Sequence, residues 1–209
     1  MKELLSEYPI IPVVVIEQIE DAVPLAKSLV AGGLSVIEVT LRTPAAIAGI
    51  EDIIENVPGA VVGSGTVCSE SQLQMSIELG CKFAVSPGAT DSLLKKARDS
   101  GFNYLPGVSS ASEVMRGLEY GFDTFKFFPA EAVGGTTLLK SLHGPFGDVK
   151  FCATGGIGLD NVMSYLSLAN VLSVGGSWIT PSKLIKDCLL YTSDAADEGL
   201  GVDLGGRRI

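Results

Sequence analysis

One lysine stands in the middle of an aromatic strand pattern, in the segment FDTFKFFPA around Lys126. Because side chains alternate along a strand, Lys126 shares one face with Thr124 and Phe128, and Phe125 and Phe127 point to the other. An unpaired charge is costly to bury, so this lysine is either paired with a carboxylate for stability or used in chemistry. Burial disfavours the ammonium form, and a neutral amine attacks a carbonyl carbon to form a Schiff base.

A glutamate and an arginine lie near the end of another strand pattern, in LSVIEVTLRTP. Glu38, Thr40 and Arg42 share one face if the strand stays extended. One interpretation is a structural salt bridge between the two charged residues. In the other, Glu38 transfers protons and Arg42 binds a substrate carboxylate through its bidentate fork. Arg42 is the only arginine in the first 97 residues, which favours a specific role.

Two glycine-rich turns follow the last two strand patterns, Thr154-Gly155-Gly156 and Gly175-Gly176-Ser177. Backbone N–H groups in such turns, next to helix N-termini, bind anions, and parallel barrels often bind phosphate at this position. The alternative is that the glycines serve loop geometry alone.

The sequence gives little support for a metal centre. Its single histidine, His143, lies in the segment SLHGPFG, where a surface or capping role at a helix end is expected. A zinc-dependent enzyme needs several protein ligands, and no clustered acids suggest magnesium. The four cysteines are widely spaced without a CxxC pair, which favours reduced thiols in a cytoplasm. We therefore expect no metal.

Composition excludes other classes of partner. The net charge of −9 gives no basic surface for nucleic acid, and no basic amphipathic segment favours a membrane surface. No apolar run approaches the roughly 20 residues of a membrane span. The segment MKELLSEYP lacks the apolar core of a signal peptide. We expect a soluble cytoplasmic protein.

Short β-rich runs alternate with helical patterns along the chain. The predicted strands are Ile10–Val15, Leu34–Val39, Ala60–Val62, Lys82–Val85, Asn103–Leu105, Phe122–Phe127, Val149–Cys152 and Val171–Val174. The predicted helices are Glu20–Ala31, Pro44–Asn56, Ser69–Leu79, Asp91–Asp99 and Ala111–Glu119. Ser69, Asp91 and Asp160 are the predicted N-caps, and Gly80, Gly101 and Gly121 are expected to follow helix ends.

Eight near-equal strand–helix units predict a single-domain α/β protein, a (β/α)8 TIM barrel. A doubly wound sheet is the competitor, but it gives no reason for eight equal units. We expect the barrel to span residues 1–186. Residues 187–209 have no sustained helical period where a final helix belongs, so we expect an atypical, non-native tail.

The motifs AKSLVAGGLSVIEVTLRTP, VVGSGTV, FAVSPG, YLPGV, FKFFPAEAVGG, FCATGGI and VLSVGGSW together resemble the class I 2-keto-3-deoxy-6-phosphogluconate (KDPG) aldolases, also described as 4-hydroxy-2-oxoglutarate (KHG) aldolases. The resemblance runs from about Pro12 to Pro181. It implies a homotrimeric barrel without metal or organic cofactor. Ala153 departs from the family's usual proline, and Cys68-Ser69 from its usual Leu-Asn.

The resemblance also implies a role for each candidate residue. Lys126 would form the Schiff base, and Glu38 would be the general acid and base. The expected substrate-binding residues are Arg42 and Thr66 for the keto-acid carboxylate, Pro87 and Phe128 for the pocket wall, and Gly155, Gly156 and Ser177 for the phosphate. Thr154 and Gly176, in the same two turns, are also expected to bind the substrate.

The implied reaction cleaves a 2-keto acid, often phosphorylated, to pyruvate and an aldehyde. That aldehyde is glyceraldehyde 3-phosphate from KDPG and glyoxylate from KHG. The galactonate-derived epimer of KDPG is an alternative substrate, because one hydroxyl orientation depends on pocket detail. A phosphate-binding barrel isomerase or synthase, and a non-catalytic keto-acid-binding protein, are further alternatives.

Overall fold

The computed structural model describes residues 1–181. The predicted tail at residues 187–209 and the end of the predicted barrel domain lie outside these residues. Within them, no helix is long and apolar enough to cross a membrane.

Within residues 1–181, nine short strands, all paired in parallel, form the central sheet. They are β1 Ile10–Val14, β2 Val36–Thr40, β3 Val61–Gly65, β4 Phe83–Val85, β5 Tyr104–Leu105, β6 Gly107–Val108, β7 Thr124–Phe127, β8 Lys150–Thr154 and β9 Val171–Gly176. Every predicted strand overlaps one of these. The sheet order is β5-β4-β3-β2-β1-β9-β8-β7-β6.

The two ends of this order, β5 and β6, are one run of chain interrupted at Pro106. On one side, the Leu105 carbonyl accepts from the N–H of Ser86, at 3.1 Å, and on the other the Pro106 carbonyl accepts from the N–H of Lys126, at 2.9 Å. The sheet therefore closes on itself. The predicted (β/α)8 barrel is confirmed, and the doubly wound sheet is wrong.

Eight α-helices and a short 3₁₀ helix at Glu131–Val133 lie among the described residues. The α-helices are α1 Lys2–Glu7, α2 Ile19–Ala31, α3 Ala46–Asn56, α4 Glu70–Glu78, α5 Asp91–Ser100, α6 Ala111–Glu119, α7 Gly135–His143 and α8 Val162–Leu166. The five predicted helices are confirmed within two residues at each end.

The helix caps correct two sequence predictions. Ser69 caps α4 as predicted, because its side chain accepts from the N–H of Gln72. Asp91, however, is the first residue of α5, and the hydroxyl of Thr90 accepts from the N–H of Leu93 instead. Threonine and aspartate are both good caps, so composition could not choose between neighbours.

The predicted cap at Asp160 is also wrong, because Asn161 is the N-cap residue of α8. The three predicted glycines at helix ends, Gly80, Gly101 and Gly121, all have positive φ, as expected for residues that follow a helix.

The strands carry two apolar layers. Outside the ring, Phe125 and Phe127 pack towards the helices, and a Cβ on Gly117 of α6 would lie only 2.2 Å from the Phe125 ring. Inside, Ile11 and Leu105 belong to a separate buried cluster, which Leu5 of α1 joins. Since alternate residues of β7 face opposite layers, Lys126 points into the ring.

Candidate active site

Lys126 and Glu38 meet inside the barrel. The Lys126 Nζ lies 3.1 Å from Glu38 Oε1 and 3.5 Å from Oε2, and each residue is only 4% exposed. The two residues are 88 positions apart in sequence, so only ring closure brings β2 and β7 to the same interior. A buried pair of this kind is costly to break, because either partner left alone is an uncompensated charge.

Gly65 makes room for the glutamate. Gly65 lies at the end of β3, and a Cβ added to it would lie 2.4 Å from Glu38 Oε1. The missing side chain therefore provides the space in which the carboxylate reaches Lys126. Sequence reasoning did not single out this residue, although it belongs to the VVGSGTV motif.

Phe128 lies beside the lysine, and Pro87 packs on the neighbouring strand. The half-buried Phe128 ring is centred 5.4 Å from Lys126 Nζ, where a ring face attracts a cation. The Phe128–Pro129 peptide bond is cis. Pro87 packs through its backbone on Gly107, which is the strand partner of Lys126, and a Cβ there would lie 2.3 Å from the Pro87 carbonyl carbon.

Arg42 binds Thr66 rather than Glu38. Strand β2 ends at Thr40, whose carbonyl accepts from the N–H of Arg42 at 2.8 Å, so the chain turns there. The Arg42 Nε then donates to Thr66 Oγ1 at 3.0 Å. The structural salt bridge considered for Glu38 and Arg42 is absent from the described residues, and Glu38 pairs with Lys126 instead.

Thr66 has an unusual backbone. Its φ is +61°, a left-handed value that is strained for a β-branched residue. Such strain persists where the surroundings enforce it, and often where function uses it. Thr66 follows Gly65 directly, so Arg42 and Thr66 lie immediately beyond the Lys126–Glu38 pair at the carboxyl end of the strands.

The two glycine turns also lie at this end. Thr154 on β8 is the strand partner of Gly175 on β9, and a Cβ on Gly175 would lie 2.6 Å from Thr154 Oγ1. Gly155 and Gly156 have φ values of +104° and +76°. Their N–H groups donate to no acceptor within residues 1–181, so they are available to an anion.

The second turn is similarly close-packed. A Cβ on Gly176 would lie 1.7 Å from the Trp178 ring, so only glycine fits this conformation. Ser177, which follows it, is exposed. Its hydroxyl is thus accessible from solvent.

Cys152, the strand partner of Lys126 on β8, lies on the inner side of the ring. Burial raises the pKa of this thiol, which keeps it uncharged beside the ion pair. Among the described residues, no group of three or more histidine, cysteine, aspartate or glutamate side chains is arranged to hold a metal ion. His143 is exposed at the end of α7, as the sequence predicts.

Sequence reasoning missed one further polar pair near the first glycine turn. The Tyr165 hydroxyl, from α8, donates to the Glu131 carboxylate. Glu131 belongs to the FKFFPAEAVGG motif, which was a signal of its importance, but nothing in the pattern linked it to a tyrosine 34 residues away.

Comparisons with known proteins agree with this architecture. A family model described as KDPG and KHG aldolase matches residues 1–190. The 2-dehydro-3-deoxy-phosphogluconate aldolase of Dickeya dadantii is 49% identical over 185 residues, which cover 88% of this chain and 87% of that protein. The KHG/KDPG aldolase of Escherichia coli K12 is 48% identical over the same shares of the two chains.

A crystal structure gives the same result. The KDPG aldolase of Legionella pneumophila, with pyruvate captured at low pH as a covalent carbinolamine intermediate, is 48% identical and superimposes with a TM-score of 0.88. The match covers 90% of this chain and 91% of that one. The chain is a carbon–carbon lyase of the aldolase class. It belongs to the KDPG and KHG aldolase family.

Proposed function

We propose that this protein is a class I aldolase that cleaves KDPG to pyruvate and glyceraldehyde 3-phosphate, and KHG to pyruvate and glyoxylate. The observation that carries the proposal is the buried contact of 3.1 Å between Lys126 Nζ and Glu38 Oε1. A primary amine and a carboxylate at this separation are the two groups that Schiff-base aldol cleavage requires.

The first step forms the covalent bond. A proton passes from the Lys126 ammonium to Glu38 across the 3.1 Å contact, and the neutral amine attacks the C2 carbonyl of the substrate. A proton moves from the attacking nitrogen to the new alkoxide, which gives the carbinolamine. Glu38 then returns its proton to the carbinolamine hydroxyl, which leaves as water, and an iminium remains. The covalent carbinolamine of the Legionella pneumophila relative with pyruvate supports this step.

The second step breaks the C3–C4 bond. The Glu38 carboxylate takes the proton of the C4 hydroxyl, the aldehyde leaves, and the bonding electrons move to the iminium nitrogen to give an enamine. Glu38 then protonates C3, and hydrolysis of the new iminium releases pyruvate and regenerates Lys126. The iminium is the electron sink, so we propose that the reaction uses neither a metal nor an organic cofactor.

The other residues hold the substrate. Arg42 and Thr66 bind the carboxylate next to the keto group, since they are hydrogen-bonded to each other just beyond the catalytic pair. Pro87 and Phe128 form the pocket wall. The phosphate binds at the glycine turns, through Thr154, Gly155, Gly156, Gly176 and Ser177.

A pyruvate-release assay tests this proposal. The protein is given KDPG, its C4 epimer from galactonate, and KHG, and pyruvate is followed with lactate dehydrogenase. We expect one pyruvate per aldehyde from KDPG and KHG, unaffected by EDTA, with the highest kcat/KM on KDPG. A higher kcat/KM on the epimer would reassign the substrate. Absence of pyruvate from all three would leave a binding protein or an isomerase.

We further propose that the protein is a cytoplasmic homotrimer, as the resemblance to the family implies. Sedimentation equilibrium should then give the mass of three 21.8 kDa chains. The mass of a single chain at micromolar concentration would contradict the trimer.

A further inference from the structure

The Glu131–Tyr165 pair spans the first glycine turn. The segment after β7 first pairs with this turn through its backbone: the N–H of Ala130 donates to the Thr154 carbonyl at 2.8 Å, and the N–H of Glu131 donates to the Gly155 carbonyl at 3.0 Å. These two hydrogen bonds hold the Thr154–Gly156 turn to the segment that follows strand β7.

The side chain of Glu131 connects this segment to helix α8. Its carboxylate accepts from the hydroxyl of Tyr165, a fully buried residue of α8, the helix that follows the turn. Burial, and then the neighbouring Glu131 carboxylate, raise the pKa of Tyr165, so the hydroxyl keeps its proton and remains a donor. The pair therefore joins the β7 and α8 sides of one loop.

The neighbouring glycines fit around this pair. A Cβ on Gly156 would lie 2.7 Å from the Glu131 Cβ, so the glutamate side chain lies directly against the turn. A Cβ on Gly135 would lie 3.1 Å from the Tyr165 hydroxyl and 3.2 Å from Glu131 Oε1. Both glycines have positive φ, which allows the close approach.

A carboxylate next to an anion site is electrostatically unfavourable, because like charges repel. Glu131 nevertheless lies against Gly156, so we infer that its other contacts contribute more than this repulsion costs. Glu131 holds the loop through its backbone N–H and its side chain together, and so fixes the direction in which the N–H groups of Gly155 and Gly156 point.

We propose that Glu131 and Tyr165 are positioning residues that set the conformation of the Thr154–Gly156 turn, and thereby the preference of the enzyme for phosphorylated over non-phosphorylated 2-keto acids. The inference rests on the proposed function, in which this turn receives the phosphate. It assigns no contact with the reacting atoms to either residue.

The test compares two substrates in two variants. Tyr165→Phe removes only the hydroxyl, and Glu131→Gln keeps the size of the side chain and an acceptor oxygen. We expect the KM for KDPG to rise about 10-fold in Tyr165→Phe, where a hydrogen bond to a charged group is lost. The rise should be smaller in Glu131→Gln, where that hydrogen bond is only weakened and the charge that repels the phosphate is removed. The kcat for KDPG and the kcat/KM for KHG should stay within about twofold.

The control is Tyr120→Phe, at the C-terminal end of α6 and so at the opposite end of the barrel. It should leave the KM and kcat for both substrates unchanged. Equal losses of kcat/KM for KDPG and for KHG in Tyr165→Phe would show a merely structural role. Unchanged kinetics in both variants would show that the pair has no role in substrate preference. Either result overturns the inference.

Titration with inorganic phosphate separates this inference from the proposed function. The unmodified protein should bind phosphate, and Tyr165→Phe should bind it about 10-fold more weakly. If the unmodified protein cleaves KDPG but binds no phosphate, the turn is not the phosphate site. If it cleaves neither substrate, the proposed function itself fails.

Discussion

The proposed catalytic pair and the glycine turns lie at the same end of the barrel but are built differently. Lys126 and Glu38 are side chains on strands, 4% exposed, and their contact depends on strand register and ring closure. The first turn has the N–H groups of Gly155 and Gly156, which donate to no acceptor within residues 1–181, and the second turn has the exposed Ser177. In the proposed function, chemistry therefore depends on single side-chain atoms, and anion binding depends on the path of the main chain.

The largest expected effect is at Lys126. Lys126→Met keeps the length of the side chain but removes the nucleophile, so pyruvate release should fall on the order of 10⁵-fold, since nucleophile and base act as a unit. The free energy of unfolding should also fall by about 3–5 kcal/mol, because Glu38 is left buried without its partner. Pyruvate release and urea unfolding measure the two effects.

A second variant separates loss of chemistry from loss of fold. Lys126→Met/Glu38→Gln removes both charges, so it should regain most of the lost stability while remaining inactive. Lys82→Met, at an exposed position, is the control and should keep full activity. Pyruvate release by Lys126→Met at the rate of the unmodified enzyme would contradict a Schiff base at Lys126.

The next effect is expected at Gly65. In Gly65→Ala, the added methyl would lie 2.4 Å from Glu38 Oε1, so the carboxylate must move away from Lys126. We expect kcat to fall by about 10²–10⁴-fold, the usual contribution of general acid–base catalysis. In the control Gly144→Ala the nearest atom is 3.7 Å from the added carbon. A kcat within twofold of the unmodified enzyme would show that Glu38 does not depend on this space.

A smaller effect, shared by both substrates, is expected at Arg42. Arg42→Gln removes the charge proposed to bind the keto-acid carboxylate, so kcat/KM for KDPG and for KHG should fall together, by about 10–150-fold. Arg98→Gln, on a surface arginine paired with Asp99, should leave both unchanged. A loss confined to KDPG would mean that Arg42 binds the phosphate instead.

The smallest effect is expected in the second turn. Ser177→Ala removes one hydroxyl and leaves the backbone donors in place, so the KM for KDPG should rise only about 5- to 10-fold and KHG should be unaffected. Ser141→Ala, on the outer helix α7, is the matched control. A loss on both substrates would contradict a role limited to the phosphate.

Alternation and spacing predicted the barrel, because eight strand–helix units leave few other closed arrangements. The same alternation predicted that Lys126 and Phe125 face opposite layers. It could not predict the interruption at Pro106, since a proline between two short β-rich runs also fits a turn. The closing hydrogen bond from the N–H of Lys126 to the Pro106 carbonyl appears only in the assembled ring.

The site was less predictable where it depends on distance in three dimensions. Two contacts join residues on different elements: Glu38 with Gly65, and Glu131 with Tyr165. No local sequence pattern predicts either contact. The expected common face of Glu38 and Arg42 failed for a local reason, because β2 ends at Thr40 and the chain turns.

The most direct test of the central claim is chemical trapping. The protein is reduced with borohydride in the presence of pyruvate, digested, and analysed by mass spectrometry. The Schiff-base mechanism predicts a carboxyethyl group on Lys126 and none on the exposed Lys82. An unmodified Lys126 after reduction, in protein that still releases pyruvate from KDPG, would contradict it.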